Sequence, residues 1–324
     1  MTTADGTAQW LRKASLIVGG DDALDLSGLR FTFDVQRGDQ QTPNSVRIKV
    51  YNPSDDTVWR AMNEFTRLVL QAGYEGNYGI IFDGSIVQAR RGRENGTDSY
   101  LDLVAADGDS AYNFAFVNTT LAAGAGMTEQ VDAALAQMAP HGVTRGYLAA
   151  LPAERLPRGK VMFGLARDFL RGVAKSANCV WSIQDGQAIM VPETSYLPGD
   201  IPVVSARSGM IGSPSRDEKG IKVTMLLNPS IRIASLIRID HRYLAQQPEA
   251  SLSTKQDDDA AKRLLRSRLQ HDGYYYVMSA THRGDTGGGD WYTEALCLAA
   301  DSSALPEALE GFQRSATPPA VIPT

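Results

Sequence analysis

The chain has 324 residues, a formal net charge of −5 and 43% hydrophobic residues. That length suits two or three domains of ~100–200 residues each, and the apolar fraction excludes wholesale disorder. The acidic balance argues against a dedicated nucleic-acid-binding protein, which carries a basic face. The cysteines, Cys179 and Cys297, sit in apolar surroundings and read as buried free thiols rather than a disulfide framework. No apolar run approaches the ~20 residues that span a bilayer, so no membrane anchor is expected. The start, MTTADGTAQW, lacks the basic-then-apolar pattern of a secretion signal, which places the protein's synthesis and retention in a cytoplasm unless it leaves by another route.

The first third reads as β. Leu29, Phe31, Phe33 and Val35 alternate with polar residues, as do Val46, Ile48 and Val50, the period of strands that bury one face. Asn52-Pro53-Ser54 ends the second run, and a short helix is predicted from about Asp56 to Phe65, capped by Ser54 or Asp55. Strands resume at Thr66–Gln71, Ile80–Arg90 and Ser99–Ala105, the last two joined by the hairpin signal RRGRENGTD.

The middle changes character. Val131, Ala134, Leu135 and Met138 recur at helical spacing until Pro140 and Gly142 stop them. A second helix is predicted from about Val161 to Ala177, with Phe163, Ala166, Phe169, Leu170, Val173, Ala174 and Ala177 on its apolar face. CVWSIQDGQAIMVPE reads as a hairpin turning at Asp185-Gly186. The last third is β again, with strands at Ile221–Leu227, Ser230–Asp240, Tyr274–Thr281 and Trp291–Leu298. Between them, AQQPEASLSTKQDDD is expected to be a mobile loop. DDDAAKRLLRSRLQ is expected to be a helix whose acidic start and basic end match the helix dipole.

The first and last thirds echo each other. IKVYNPS (48–54) overlies IKVTMLLNPS (221–230), and RGRENGTDSYLD (91–102) overlies RGDTGGGDWYTE (283–294) without a gap. Two such matches in the same order point to an internal duplication. The predicted fold class is therefore mainly β with an α+β insert, two similar β domains flanking it. The boundaries are a first domain at 1–119, the insert at 120–200, a second β domain at 201–302 and a disordered proline-rich tail at 303–324.

Chemistry is hard to place on this chain. Its four histidines form no HExxH pattern, and no Gly-x-Ser-x-Gly elbow is present. Paired carboxylates fall at turn and helix starts, where they cap free amides. HRGDTGGGDW (282–291) offers His282, Asp285 and Asp290. It is no calcium loop, and a strand rather than a helix follows its glycines, so it fails as a phosphate cradle too. No catalytic, metal or cofactor-binding residue is assigned, and the protein is not expected to be an enzyme. The polar residues that remain are candidates for partner contact. They are Arg91, Arg93, Glu94, Asn95, Arg283, Asp285 and Thr286 on the two hairpin loops, and Arg263, Arg266 and Arg268 on one helix.

These phrases carry a resemblance. LRFTFDVQRGDQQTPNSVRIKVYN, LVLQAGYEGNYGIIFDGSI, GMIGSPSRDEKGIKVTMLLNPSIRIASLIRID and the late H-x-G-D … W-Y-T hairpin resemble the baseplate hub proteins of contractile-tailed bacteriophages. The resemblance implies two tube-like β-barrels in each chain. Three chains then form a homotrimeric, pseudo-sixfold ring between the tail tube and a trimeric spike. It further implies contacts with the tail tube protein, the spike, other baseplate proteins and the tape-measure protein, and passage of DNA through the bore without specific binding. The location implied is the baseplate of the virion tail, assembled in the bacterial host cytoplasm. Two other readings stand beside it: a tail-tube terminal or injection-machine tube component, and a cell-wall hydrolase, which would need a carboxylate pair across a cleft.

Overall fold

A computed structural model describes residues 11–299, apart from 20, 21, 40, 95, 194, 218, 219 and 240–272. The first part holds β1 (Arg12–Gly19), β2 (Ala23–Asp25), β3 (Phe31–Gly38), β4 (Ser45–Tyr51), α1 (Asp55–Asn63), β5 (Arg67–Tyr74), β6 (Asn77–Glu94) and β7 (Asp98–Ala106). The middle holds α2 (Asp109–Phe114), β8 (Phe116–Leu121), α3 (Met127–Met138), a 3-10 turn (Ala139–His141), β9 (Thr144–Leu148), β10 (Lys160–Leu165), α4 (Ala166–Ser176), β11 (Cys179–Gln184) and β12 (Gln187–Pro192). The last part holds β13 (Val203–Val204), β14 (Ser215–Asp217), β15 (Gly220–Leu226), β16 (Leu236–Ile239), β17 (Tyr274–Asp285) and β18 (Trp291–Ala299). No helix among the described residues is long and apolar enough to cross a membrane.

The fold is mainly β, with an α+β unit between two β parts. Both β parts belong to one 13-stranded sheet, whose main path runs β14-β15-β18-β17-β3-β4-β7-β6-β5-β1-β2. The seam is the antiparallel pair β17–β3, in register from Ser279↔Gly38 to Asp285↔Thr32. One face of β3 and its neighbour β4 is apolar, since Phe31, Phe33, Val35, Val46, Ile48 and Val50 are all buried. The alternate residues are polar and face away, so the two-residue period alone sorts core from surface. Trp291 crosses the seam: it belongs to the core of the first β part, packs edge-on to Phe33 with ring centroids 5.4 Å apart, and donates to the Gly73 carbonyl at 3.3 Å. Gly284 permits this approach, because a Cβ there would lie 2.3 Å from the Phe33 ring.

Several predicted elements stand where expected. Ser54 caps α1, its Oγ accepting from the Thr57 N–H at 3.1 Å. The β11–β12 hairpin turns at Asp185 and Gly186, whose φ values of 53° and 73° are those of a type I′ turn. Others differ. The helix expected from Val161 starts only at Ala166, because 160–165 is β10, antiparallel to β8. Met162 is buried there while Val161 and Phe163 are exposed, an alternation that a helical reading of the same apolar residues obscures. The strand expected over Ser230–Asp240 is confined to Leu236–Ile239. The chain before it turns, and Ala234 adopts a left-handed φ of 64°. β1, which pairs with β5 on one side and β2 on the other, has no counterpart among the predicted strands. The predicted loop and helix between 240 and 272 and the tail at 303–324 lie outside the described residues.

The two echoing segments form the same local unit. Strand β4 pairs with β7 of the β6–β7 hairpin, and β15 pairs with β18 of the β17–β18 hairpin. Each hairpin carries a bulge in its first strand, at Val87 opposite Ala105/Val104 and at Met278 opposite Cys297/Leu296. A diagonal ion pair recurs, Arg47–Asp102 at 2.7 Å and Lys222–Glu294 at 3.0 Å. So does a closing backbone bond, Asn52 N–H to Ser99 O at 2.8 Å and Leu227 N–H to Trp291 O at 3.2 Å. The gapless overlay of the two sequences is off by one in the first strand of the hairpin. Glu94↔Asp98 corresponds to Asp285, whose N–H donates to Asp290 O, so the second turn is one residue longer. In this register His282 stands at the place of Arg91, not Arg90. Ile221 likewise matches Val46 rather than Ile48, because Val223↔Ala295 is the rung equivalent to Ile48↔Leu103.

Candidate functional site

Both hairpin turns lie on one rim of the sheet. Arg91 pairs with Asp55 at the start of α1, Lys49 Nζ reaches Glu94 at 3.6 Å, and Arg93 is exposed. Asn95 lies outside the described residues, as do Arg263, Arg266 and Arg268. The second turn is tied into the seam. Arg283 Nε donates to Asp34 Oδ2 at 3.0 Å, and Arg30 grips Asp285 through two bonds of 3.2 and 2.8 Å. Thr286 Oγ1 accepts from the Phe31 N–H at 2.9 Å. The donating Arg30 side chain, assisted by its charge, holds the Asp285 carboxyl below the usual carboxylate range. Arg12 reaches over to the Gly288 and Gly289 carbonyls at 2.6 and 3.1 Å. The structure therefore brings both predicted loops to one rim, but it engages Arg283, Asp285 and Thr286 inside the chain. Between the turns is a cleft of about 480 Å³ lined by Gly28, Leu29, Arg30, Tyr51, Asn52, Glu94 and Asp98.

Below the rim, the polar face of the sheet carries charges that alternate from strand to strand. Arg283 opposes Asp34, Asp34 opposes Arg47, Arg47 binds Asp102 through two bonds of 2.9 and 2.7 Å, and Asp102 opposes Arg90. Lys49–Glu94 and Lys222–Glu294 extend the pattern on either side. Cross-strand neighbours of opposite sign favour this register, and their carboxylates neutralise a row of cations that would otherwise attract polyanions. The row had no simple signal in the sequence, because its members come from seven strands.

At the opposite end of the sheet a buried polar node holds the α+β unit. Asp107 accepts the N–H groups of Asp185 and Gly186, at 2.6 and 2.9 Å. Arg37 donates to Gln184 and Asp185 at 3.2 and 2.7 Å, and Asn44 donates to Gln184 and to the Ile183 carbonyl at 2.9 and 3.1 Å. Burial raises the Asp107 carboxyl to about 6 despite these donors, and it raises Asp39, which accepts from the Tyr276 hydroxyl, to about 6 as well. His282 is fully buried, with Nδ1 2.8 Å from Thr293 Oγ1, and burial followed by the Arg37 charge pushes it down to about 3. Thr293 Oγ1 also accepts from the Asn228 N–H at 3.0 Å, and the other ring nitrogen, Nε2, has no hydrogen-bond partner among the described residues. Among the described residues, no three His, Cys, Asp or Glu side chains are grouped to hold a metal ion.

No protein-family model and no curated protein matches the chain in sequence. Solved structures do match in fold. A 43 kDa tail protein of prophage MuSo2 from Shewanella oneidensis aligns with a TM-score of 0.55 at 8% identity, over 89% of this chain and 98% of its own. A tail protein from Neisseria meningitidis MC58 aligns at 0.54 and 12% identity, over 89% and 97%. The fold is that of phage tail proteins. An Escherichia coli type VI secretion component, described as structurally similar to the bacteriophage T4 tail proteins gp27 and gp5, shares the tail-protein fold at a TM-score of 0.52 and 9% identity, over 95% of this chain and 80% of its own.

Proposed function

We propose that the chain is a structural baseplate hub of a contractile phage tail. Three copies form a pseudo-sixfold ring that joins the tail tube to a trimeric spike. The observation that carries this reading is the repeated strand-and-hairpin unit. Two equivalent units in one chain, joined edge to edge by β17–β3, let a threefold assembly present sixfold-like geometry. The reading takes residues 1–119 and 201–302 as duplicated tube-like domains, 120–200 as the insert and 303–324 as a tail. End-to-end likeness to tail proteins supports it. The charge-alternating face suits the bore, where tape-measure protein and DNA pass without being held, because phosphate affinity rests on unneutralised Lys and Arg. The hairpin rim, with its residual exposed Arg93 and its cleft, suits contact with the tail tube, the spike or another baseplate protein. Virion assembly would take place in the host cytoplasm, and no catalytic role is assigned.

Native mass measurement tests the reading. A stable trimer of the 35.0 kDa chain is expected, whereas a closed hexamer would overturn it. The likeness to the Escherichia coli type VI secretion component favours a second reading, a tube component of a related injection machine. A chain that is a hexameric ring on its own would fit that position.

A further inference from the structure

The α+β unit holds an unfinished ribbon. Its strands β8 and β10 pair only with each other among the described residues. Their inner face is packed, with Val117 and Met162 in the core of the unit. Their outer face is apolar and open. Val161 is 70% and Phe163 69% exposed, and Phe116, 44% exposed, meets Phe163 edge-on with ring centroids 4.9 Å apart. The backbone phase is fixed at the end of the ribbon, where the Ala166 N–H donates to Ala115 O at 2.9 Å. Alternate residues of a strand direct their N–H and C=O groups to opposite sides. Met162 and Gly164 therefore face β8, while Val161 and Phe163 aim theirs outward. Those outward groups meet no backbone partner among the described residues. A lysine commonly blunts such an edge, but Lys160 donates to Gln130 Oε1 at 2.7 Å instead.

We propose that the outer edge of β10 takes up, as a third and antiparallel strand, an extended segment of another protein, apolar at alternate positions and acidic at its C-terminal end. Backbone pairing supplies the attachment and side-chain alternation the selectivity, as in other strand-addition sites. Residues directly opposite Val161 and Phe163 would share their face, so apolar side chains there cover the exposed patch. The outer face of β10 carries no charge, whereas Arg158, exposed and without an ion pair among the described residues, stands just before the strand. An antiparallel guest ends at that point, which places its carboxylates beside the guanidinium. The open backbone decides against a bilayer as occupant, because lipid cannot satisfy outward N–H and C=O groups. A second copy fits poorly too, since β10 laid antiparallel on β10 needs a twofold axis. The inference goes beyond the ring reading and does not depend on it.

The test is binding of a fluorescein-labelled peptide, Thr-Val-Thr-Val-Thr-Val-Asp-Asp, to the full chain, read by fluorescence anisotropy. Saturable binding is expected. Val161→Pro removes one outward N–H without touching the ladder to β8, because an edge strand tolerates proline there. It should weaken the peptide on the order of tenfold, about one lost charge-free anchor of the ladder. Phe163→Asp should abolish binding, and Phe163→Leu should largely keep it. The denaturation midpoint of Val161→Pro should match the unmodified chain, which separates lost binding from lost fold. A peptide N-methylated at its valines should not bind. No saturable binding up to about 1 mM peptide, or equal binding of the methylated peptide, would overturn the proposal, and a trimer by native mass would leave the hub reading standing beside that failure. Two further results would also overturn it by naming another occupant. One is sedimentation with phosphatidylcholine–phosphatidylglycerol vesicles that Phe163→Asp abolishes and Val161→Pro does not. The other is a dimer that Val161→Pro dissociates.

Discussion

His282 illustrates how a residue's chemistry is decided by its surroundings. In the sequence it sits beside Arg-Gly-Asp and three glycines and invites a ligand role. In the fold it is fully buried against Thr293, on the core side of the seam. Its folded proton affinity, down to about 3, lies well below the ordinary 6.5. A depressed histidine contributes stability that is present above about pH 6.5 and is lost as pH falls from there toward 3, by roughly 1 kcal/mol per pH unit. Asp39 and Asp107 act in the opposite direction. With folded values raised to about 6, they favour the folded state below about pH 4 and cost stability as pH rises through 6. Their presence blunts the net slope, so the comparison must be between variants. His282→Gln is expected to flatten the fall in denaturation midpoint between pH 6.5 and 4.5 relative to the unmodified chain. Equal slopes in the two proteins would show that the ring is not buried neutral.

At the scale of elements, local periodicity and hairpin turns are legible in the sequence, and pairing between distant strands is not. The alternation in 31–35 and 46–50, the Ser54 cap and the Asp185-Gly186 turn each rest on neighbours in sequence, and each is found. The β8–β10 ribbon is hidden in the sequence because Phe163 and Ala166 fit a helical stripe as well as a strand followed by a helix. The exposure of Val161 and Phe163 around the buried Met162 shows which period holds. The seam could not be read at all, since the Arg283–Asp34 and Arg30–Asp285 pairs join residues some 250 positions apart. The alternating charge row is a product of that pairing. Removing its acidic half by Asp34→Asn, Glu94→Gln, Asp102→Asn and Glu294→Gln is expected to create binding to duplex DNA. That binding should weaken on the order of 100-fold between about 50 and 200 mM salt, as for about four phosphate contacts. The unmodified chain should bind none. The same number of neutralisations off this face, at Asp56, Glu75, Glu154 and Asp200, should create no binding. If both variants bind alike, net charge rather than the row controls the effect.

For the whole molecule, the decisive feature is that one sheet runs through both β parts. Separate closed barrels would be linked only by loops. Here, β17 and β3 share backbone pairing, and Trp291 seats the second hairpin in the first core. The echo between IKVYNPS and IKVTMLLNPS pointed to the correct strands two residues out of register. Because alternate residues share a face, a shift of two still places apolar on apolar, and only the ladder itself reveals it. The resemblance read from strand-and-turn phrases and the likeness to tail proteins meet at the level of fold. In the proposed hub, the polar face of this continuous sheet lines the passage of a threefold ring. The most direct measurement is an electron cryo-microscopy reconstruction of the assembled protein. A trimer in which Asp34, Arg47, Arg90 and Asp102 face the central channel is expected. A ring with these side chains on its outer wall, or packed against a neighbouring copy, would contradict it.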